Sequence, residues 1–451
     1  MQRKLRNIVR TLCIGAVCAC GALQADRAVQ AQLDFEQAPI EYGKKPASDR
    51  VTKLAKAVES GQVQLKYDPA FGYLPALLEA LDIPQESQTL VFSKTSFQIH
   101  KINAFKPRAI YFNDDTYVGY VRGSDTLELG ASDAEQGGIF FTLEGPADEK
   151  PRLIRDQGQC LICHGSVRTQ GVPGFLVRSI ISDSVGHPVT GTPTFVTDHT
   201  SPFSERWGGW YVTGTHGEMQ HLGNVMCRDP NLEGWVDRKA GANRKELPEA
   251  IHPDRYLQPS SDITALMVLE HQTQMHNLMT RAAFEARTAA YQDSGINEAL
   301  DRPADYQSES TVRRINSVTE KLLKYMLMAD EIELTAPVVG SSQFAAKFSA
   351  RGPQDAKGHS LYQLDLQKHL FKTPCSFLVY SEAFDGLPET VKQRLGARLH
   401  EVLVKRDNDA GYERLSAEDR DAVVDVLSST KKEFWDKYAA QGSRVELTSS
   451  K

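Results

Sequence analysis

Three residues with chemistry in them stand together as Cys160-Leu161-Ile162-Cys163-His164. Two thiols at this spacing lie about one helical turn apart. They can add to the two vinyl groups of one porphyrin and form thioethers. A histidine directly after the second thiol is then held against the iron as an axial ligand. The chemistry specified is covalent attachment of a haem of the c type, in a protein exported from the cytoplasm. The same residue types have two other uses. Half a zinc site would want a second pair of Cys or His ligands at short spacing, and the chain has no second CxxC and no HxxxH. A redox dithiol belongs at a thioredoxin-like strand-to-helix turn, where the trailing histidine would be incidental.

The N-terminus supplies the exported context. Arg3, Lys4, Arg6 and Arg10 precede an uncharged, apolar run from Thr11 to Leu23. That is the layout of a signal peptide and is too short to cross a bilayer. Val29-Gln30-Ala31 is a cleavage site that would remove residues 1–31, with Leu23-Gln24-Ala25 as a second option. Val17-Cys18-Ala19-Cys20 is a loose lipoprotein box, which would place a lipid anchor at Cys20. The expected location is the periplasm, and no later segment has the length and apolarity of a transmembrane helix. Of seven cysteines, three leave with the signal and two go to haem. Cys227 and Cys375 either pair, as an oxidising compartment permits, or stand as separate buried thiols. Loss of five basic residues and one acidic residue with the signal moves the formal charge from −6 to about −10, which argues against nucleic acid as a partner. It suits steering toward a basic redox partner protein.

A bound haem raises the question of the sixth iron position. Electron carriers fill it with Met or His; haem enzymes and gas sensors leave it open or labile. His216, Met219, His221, Met226 and His271 are the distal candidates. His187 and His199 are also in range, as are Met267, Met275 and Met279, which share a helical stripe with His271. That stripe is equally a packed helix face. Arg152 and Arg155, just ahead of the motif, could each pair with a haem propionate, because a guanidinium fork matches a carboxylate. The segment from Arg206 to Asn224 concentrates two tryptophans, two histidines and many glycines. It is either a set of flat walls for a porphyrin or an aromatic hairpin of the core.

The elements that must position these groups change character along the chain. Short helices are expected around Val51–Val58 and from Leu74, with Pro75 in its first turn. Alternating apolar runs at 90–92, 109–112, 117–121, 126–129 and 138–143, separated by Asn-Asp and Gly-Ser-Asp turns, read as antiparallel strands. Another strand is expected over 175–181. From 259 the pattern becomes helical: one helix capped by Ser260 or Ser261 and running to about Ala289, others over 312–328 and 389–404, and one opened by the capping box at Ser416–Asp419 and running to about Tyr438. The architecture is α+β. A signal peptide occupies 1–31, a β-rich haem-bearing region 32–258, and a helical region with a polar tail 259–451.

At the motif the chain resembles c-type cytochromes, and Leu415–Val424 is similar to the terminal helix of some cytochrome c domains. The longer segments Ala109–Leu143, Trp207–Asn224 and Phe371–Leu387 resemble large exported bacterial proteins with a single CxxCH. The resemblance implies one haem c, anchored at Cys160 and Cys163 and ligated by His164. Three functions follow from how the sixth position is used. An electron carrier leads; a peroxidase-like oxidoreductase acting on a small-molecule substrate, with His216 and His221 as acid–base candidates, and a haem-based sensor are the alternatives.

Overall fold

The computed structural model describes residues 34–147, 149–227, 236–406 and 411–440. The signal peptide, the anchor at Cys20 and the tail after Gly442 lie outside them. Helix α1 (Arg50–Glu59) repeats Val51, Leu54 and Val58 on one buried stripe, and Asp49 accepts the Thr52 amide at its start. Helix α2 (Leu74–Ala80) carries Pro75 in its first turn and buries Leu74, Leu77 and Leu78. A sheet follows: β1 (Thr89–Val91), β2 (Arg108–Phe112), β3 (Thr116–Val121), β4 (Thr126–Asp133), β5 (Gly137–Glu144) and β6 (Arg152–Arg155). The last is a strand that its charged ends hide from a hydrophobicity pattern. Two more strands, β7 (Arg178–Ile180) and β8 (Thr194–Val196), pair only with each other. Strand β9 (Trp210–Tyr211) closes the large sheet, whose order is β6-β5-β4-β3-β2-β1-β9, with antiparallel neighbours throughout.

The pleat gives this sheet two different faces. One carries Ala109, Tyr111, Val118, Tyr120, Leu127, Leu129, Phe141 and Leu143 and buries them under α1 and α2. The other carries Phe112, Tyr117 and Phe140 and enters the main core. Next to that aromatic row, Ile110, Gly119, Glu128, Thr142 and Ile154 align across five strands. Their surroundings are more open; Ile154 is 41% exposed.

The helical half follows. Between α2 and this half lies a short helix in the CxxCH motif, α3 (Leu161–His164). Helix α4 (Ile263–Ala299) is buried on nearly every side from Ile263 to Met279. The longer helices after it are α5 (Glu309–Met326), α6 (Glu389–Leu399, continued by a wider turn over His400–Val404) and α7 (Ala417–Thr430). The main core mixes Val91, Phe112, Phe140 and Phe175 with residues of α4 through α7. A two-stranded pairing of β10 (Gly214–Thr215) with β11 (Val339–Gly340) also ties the front of the chain to the back. Among the described residues no helix is long and apolar enough to cross a membrane.

Four boundaries differ from the sequence expectation, the first three for a tertiary reason. The cap of α4 is Asp262, not Ser260 or Ser261. The Ser261 hydroxyl is already committed, donating to the Tyr211 carbonyl at 2.6 Å and accepting from the Leu90 amide at 2.8 Å. The helix runs ten residues past Ala289 because its last turns find partners: Asp293 accepts the Ser308 amide and Asn297 donates to the Tyr306 carbonyl. The strand expected over 175–181 shrinks to Arg178–Ile180, because Phe175 gives both its backbone groups to Asn277 of α4. The final helix stops at Thr430 instead of continuing to Tyr438, with Lys431 leaving helical geometry before two short turns.

Asp262 holds two pieces of chain at once. Its Oδ1 accepts from the Thr264 amide (2.7 Å) and hydroxyl, and its Oδ2 accepts from the Ser342 amide and hydroxyl, both at 2.7 Å. Asp262→Ala is expected to lower unfolding free energy by about 3 kcal/mol, the sum of a lost cap and stranded buried donors. Asp262→Asn, which keeps one acceptor, should lose less. A urea midpoint unchanged in the alanine variant would remove this role.

Candidate haem-attachment site

The approach to α3 is shaped by Asp156, whose carboxylate accepts the amides of Gly158 (2.8 Å) and Cys160 (3.0 Å). The turn that follows brings the His164 amide to the Cys160 carbonyl at 2.9 Å. Leu161 packs inward against Phe35 and Val172. Ile162 is 79% exposed, and Cys163 is exposed as well. Cys160 is half-buried, and both cysteines carry free thiols.

His164 is fixed by a reciprocal pair of bonds with Gly174. Its Nδ1 donates to the Gly174 carbonyl at 2.8 Å, and the Gly174 amide donates to the His164 carbonyl at 2.8 Å. Gly174 is obligatory there, since a Cβ would stand 2.1 Å from Oδ1 of Asn277. That same oxygen accepts the Phe175 amide at 2.8 Å. The chain from α4 to the histidine is therefore Asn277, Phe175, Gly174, His164. Burial pushes the imidazole below its usual range, so it is neutral at pH 7. With Nδ1 carrying the proton, Nε2 holds the lone pair, and it is engaged in no hydrogen bond among the described residues. This is the tautomer and the outer hydrogen bond that a metal-ligating histidine requires.

The thiols do not suit the two rival uses of the motif. A redox dithiol needs a stabilised thiolate, whereas burial and the neighbouring Asp156 carboxylate push the Cys160 thiol up to about 12. A structural zinc ion needs four protein donors; no group of three or more His, Cys, Asp or Glu side chains is assembled for a metal among the described residues. Haem brings four equatorial nitrogens of its own and asks the chain for one axial donor and two thiols. Those residues fit that group.

Around the motif, the Phe140 ring lies 4.8 Å from that of His164 and 5.7 Å from Phe175, which lies 4.5 Å from Tyr117. The Arg108 guanidinium is near enough to His164 to act on its protonation, and it pairs with Glu128 at 2.6 Å. A cavity of about 310 Å³ opens beside α3, between Val167, Arg168, Phe175, Val196, Thr197 and Thr273.

The distal candidates lie elsewhere. His216 uses Nε2 to accept the Asn243 amide (3.0 Å) and packs on Phe203 and His221. His221 accepts the Gly223 amide on Nδ1 and lies against Trp207. Met219 sits in the main core and Met226 against the second core. His271 has both nitrogens engaged, with His199 Nδ1 at 2.8 Å and Ser376 Oγ at 2.7 Å. None of the five shares a hydrogen bond or ring contact with His164. Met267, Met275 and Met279 are buried core residues, so the stripe is packing. His187 is exposed on a turn with Asp183. The glycine- and tryptophan-rich segment is likewise core: Trp207 and Trp210 are buried, and Gly209, at φ 80°, lets the backbone lie on Ser93, where a Cβ would come within 2.5 Å. Arg155 is spent on Gln136 and on the Tyr42 ring, and Arg152 lies exposed at the outer edge of the sheet. Cys375 is a free thiol in the main core, while Cys227 lies in a separate cluster with Ile181 and Leu222. The reading of two separate buried thiols holds.

Sequence reasoning passed over a buried polar network behind the cavity. Thr197 donates to Glu270 at 2.5 Å, and Arg206 pairs with Glu270 at 3.3 Å while donating to the His199 carbonyl. His199 and His271 both stack on Tyr325. The available signal was Glu270-His271 directly after the apolar run Leu266–Leu269. The chain matches no protein-family model, no curated protein and no solved structure.

These histidines set a pH dependence. Burial depresses His221 and His271 to about 3, against 6.5 in the unfolded chain. Between those values the unfolded chain holds the proton and the folded chain does not. Stability is therefore full above about pH 6.5 and drains as pH falls, by roughly 1.4 kcal/mol per pH unit for each histidine. Urea midpoints between pH 4.5 and 7 should show this slope, and His271→Asn should flatten it by one histidine's share. A slope that His271→Asn leaves unchanged would contradict the assignment.

Proposed function

We propose that this protein is a periplasmic c-type haem protein that transfers electrons through one covalently bound haem, exchanging them with a redox partner protein. The observation that carries this reading is the His164–Gly174 clamp inside the CxxCH turn. It supports an iron ligand already held in the required tautomer, next in the chain to two free thiols. When bound, haem supplies a one-electron iron couple. The chain's part is then positional. Cys160 and Cys163 anchor, His164 ligates through Nε2, and Gly174, Phe175 and Asn277 keep that imidazole from rotating. Exposure of Ile162 and Cys163 supports an attachment point at the surface, where electron exchange between proteins is fastest to arrange.

A second reading has its own observation. Apart from the exposed His187, the distal His and Met candidates are committed to the interior, which favours an open sixth position and hence a haem-dependent oxidoreductase, peroxidase-like, or a haem-based sensor.

The test is expression in a periplasm equipped for haem attachment, followed by optical spectra with and without carbon monoxide. Wild type should carry covalent haem, and a Cys160→Ser, Cys163→Ser double variant should carry none. Covalent haem persisting in the double variant would end this reading. A low-spin spectrum indifferent to carbon monoxide supports the electron carrier. Tight carbon monoxide binding by the reduced protein transfers support to the open-site reading.

A further inference from the structure

Two arginines beside the motif carry positive charge that the chain does not balance. Arg168 follows α3 in the next turn and is exposed at the lip of the cavity. Arg178 projects from β7 and is half-buried. Among the described residues neither forms an ion pair. Arg178 has a single long contact, 3.4 Å to the Thr194 hydroxyl, and its Nε is buried without a partner. The two guanidinium groups are close enough for Arg168 to disfavour the charge on Arg178, and Arg178 in turn lies within electrostatic reach of Cys163. Other arginines nearby are matched: Arg108 by Glu128, Arg281 by Glu285, Arg206 by Glu270. In a chain of net charge −6, carboxylates are plentiful. A like-charged pair holding a stranded donor in a half-buried place is costly unless an anion completes it.

We propose that Arg168 and Arg178 form a carboxylate-binding pair for a propionate of the haem tethered at Cys160 and Cys163. This rests on the haem reading above and extends it. It replaces Arg152 and Arg155 as the propionate partners. The ligand is a carboxylate in either case, and its source is the haem itself rather than a free anion or an acidic partner. The guanidinium pair acts as a positioning and charge-setting device at the edge of the cofactor.

The experiment compares midpoint potentials of wild type, Arg178→Gln, Arg178→Lys and Arg168→Gln, each with covalent haem confirmed, from pH 4.5 to 8. Each is also measured in rising acetate at constant ionic strength. Removing one positive charge should favour the oxidised form about tenfold at fixed potential, a fall of about 59 mV for a one-electron couple. It should also bring a carboxyl titration of the potential into this pH range, with Arg178→Lys restoring most of the shift. Acetate should leave wild type unmoved, because the site is filled. Haem-loaded Arg178→Gln and Arg168→Gln with wild-type potentials would overturn the pair. A wild-type potential that moves with acetate, and stops moving in the glutamine variants, would overturn the propionate as ligand in favour of an external anion. Exposed Arg168 keeps the test decisive should Arg178→Gln not fold. Wild type without covalent haem would instead sink the haem reading, and this pair with it.

Discussion

The burial of α4 is the constraint from which the rest follows. A helix buried on nearly all sides over its first half needs cover all around. One face of the seven-stranded sheet supplies part of it, and α5, α6 and α7 supply the remainder. Its start is fixed by Asp262, which also recruits the chain at Ser342. Its middle sends Asn277 to both backbone groups of Phe175. The CxxCH motif thus hangs from the central helix, although more than a hundred residues separate Asn277 from Cys160. A change in how α4 seats in the core would reach the His164 ring through three residues.

The polar groups of α4 reveal a second principle. Glu270, His271, Gln272, His276 and Asn277 are all buried, and each has at least one partner. Burial pushes the Glu270 carboxyl up to about 7 even with Arg206 beside it, so the desolvation of this pair is not fully offset by attraction. Such groups add little net stability, but they fix a single register, since any rotation of the helix would strand several at once. The helix that must be covered on every side is also the one that must not turn.

The motif itself occupies the opposite environment. It lies where the sheet face passes from an aromatic row into an open one, with Ile162 and Val167 facing outward at 79% and 86% exposure. Inward, Phe140, Phe175 and Tyr117 continue as packed rings toward α4. A cofactor fixed here would have exposed side chains on one side and packed aromatic rings on the other. Of the arginines around it, Arg108, Arg206 and Arg281 are matched by carboxylates, and Arg168 and Arg178 form no ion pair among the described residues.

The CxxCH pattern, the change from period two to helical period and the capping box at Ser416 were legible because they are local. Spacing, alternation and a side chain reaching three residues along the chain need no distant partner. The α+β order of elements followed from them. The ends of α4, the shortening of β7, the buried state of His216, His221 and His271, and the assignment of Trp207 and Trp210 to the core were not legible. Each depends on groups far away in sequence: Ser261 already bonded to Tyr211, Phe175 held by Asn277, His271 held between His199 and Ser376. Histidine, methionine and arginine look alike in a sequence whether they serve a cofactor or the core, because the difference is what lies opposite them. The order of residues alone set down a CxxCH turn, the pattern to which a haem could be joined. Only the tertiary structure decided that His164 turns Nδ1 to the Gly174 carbonyl, that His216, Met219, His221 and His271 are taken up in the interior, and that Arg168 and Arg178 form no ion pair among the described residues, since all three depend on contacts that exist only after the sheet has closed over α4.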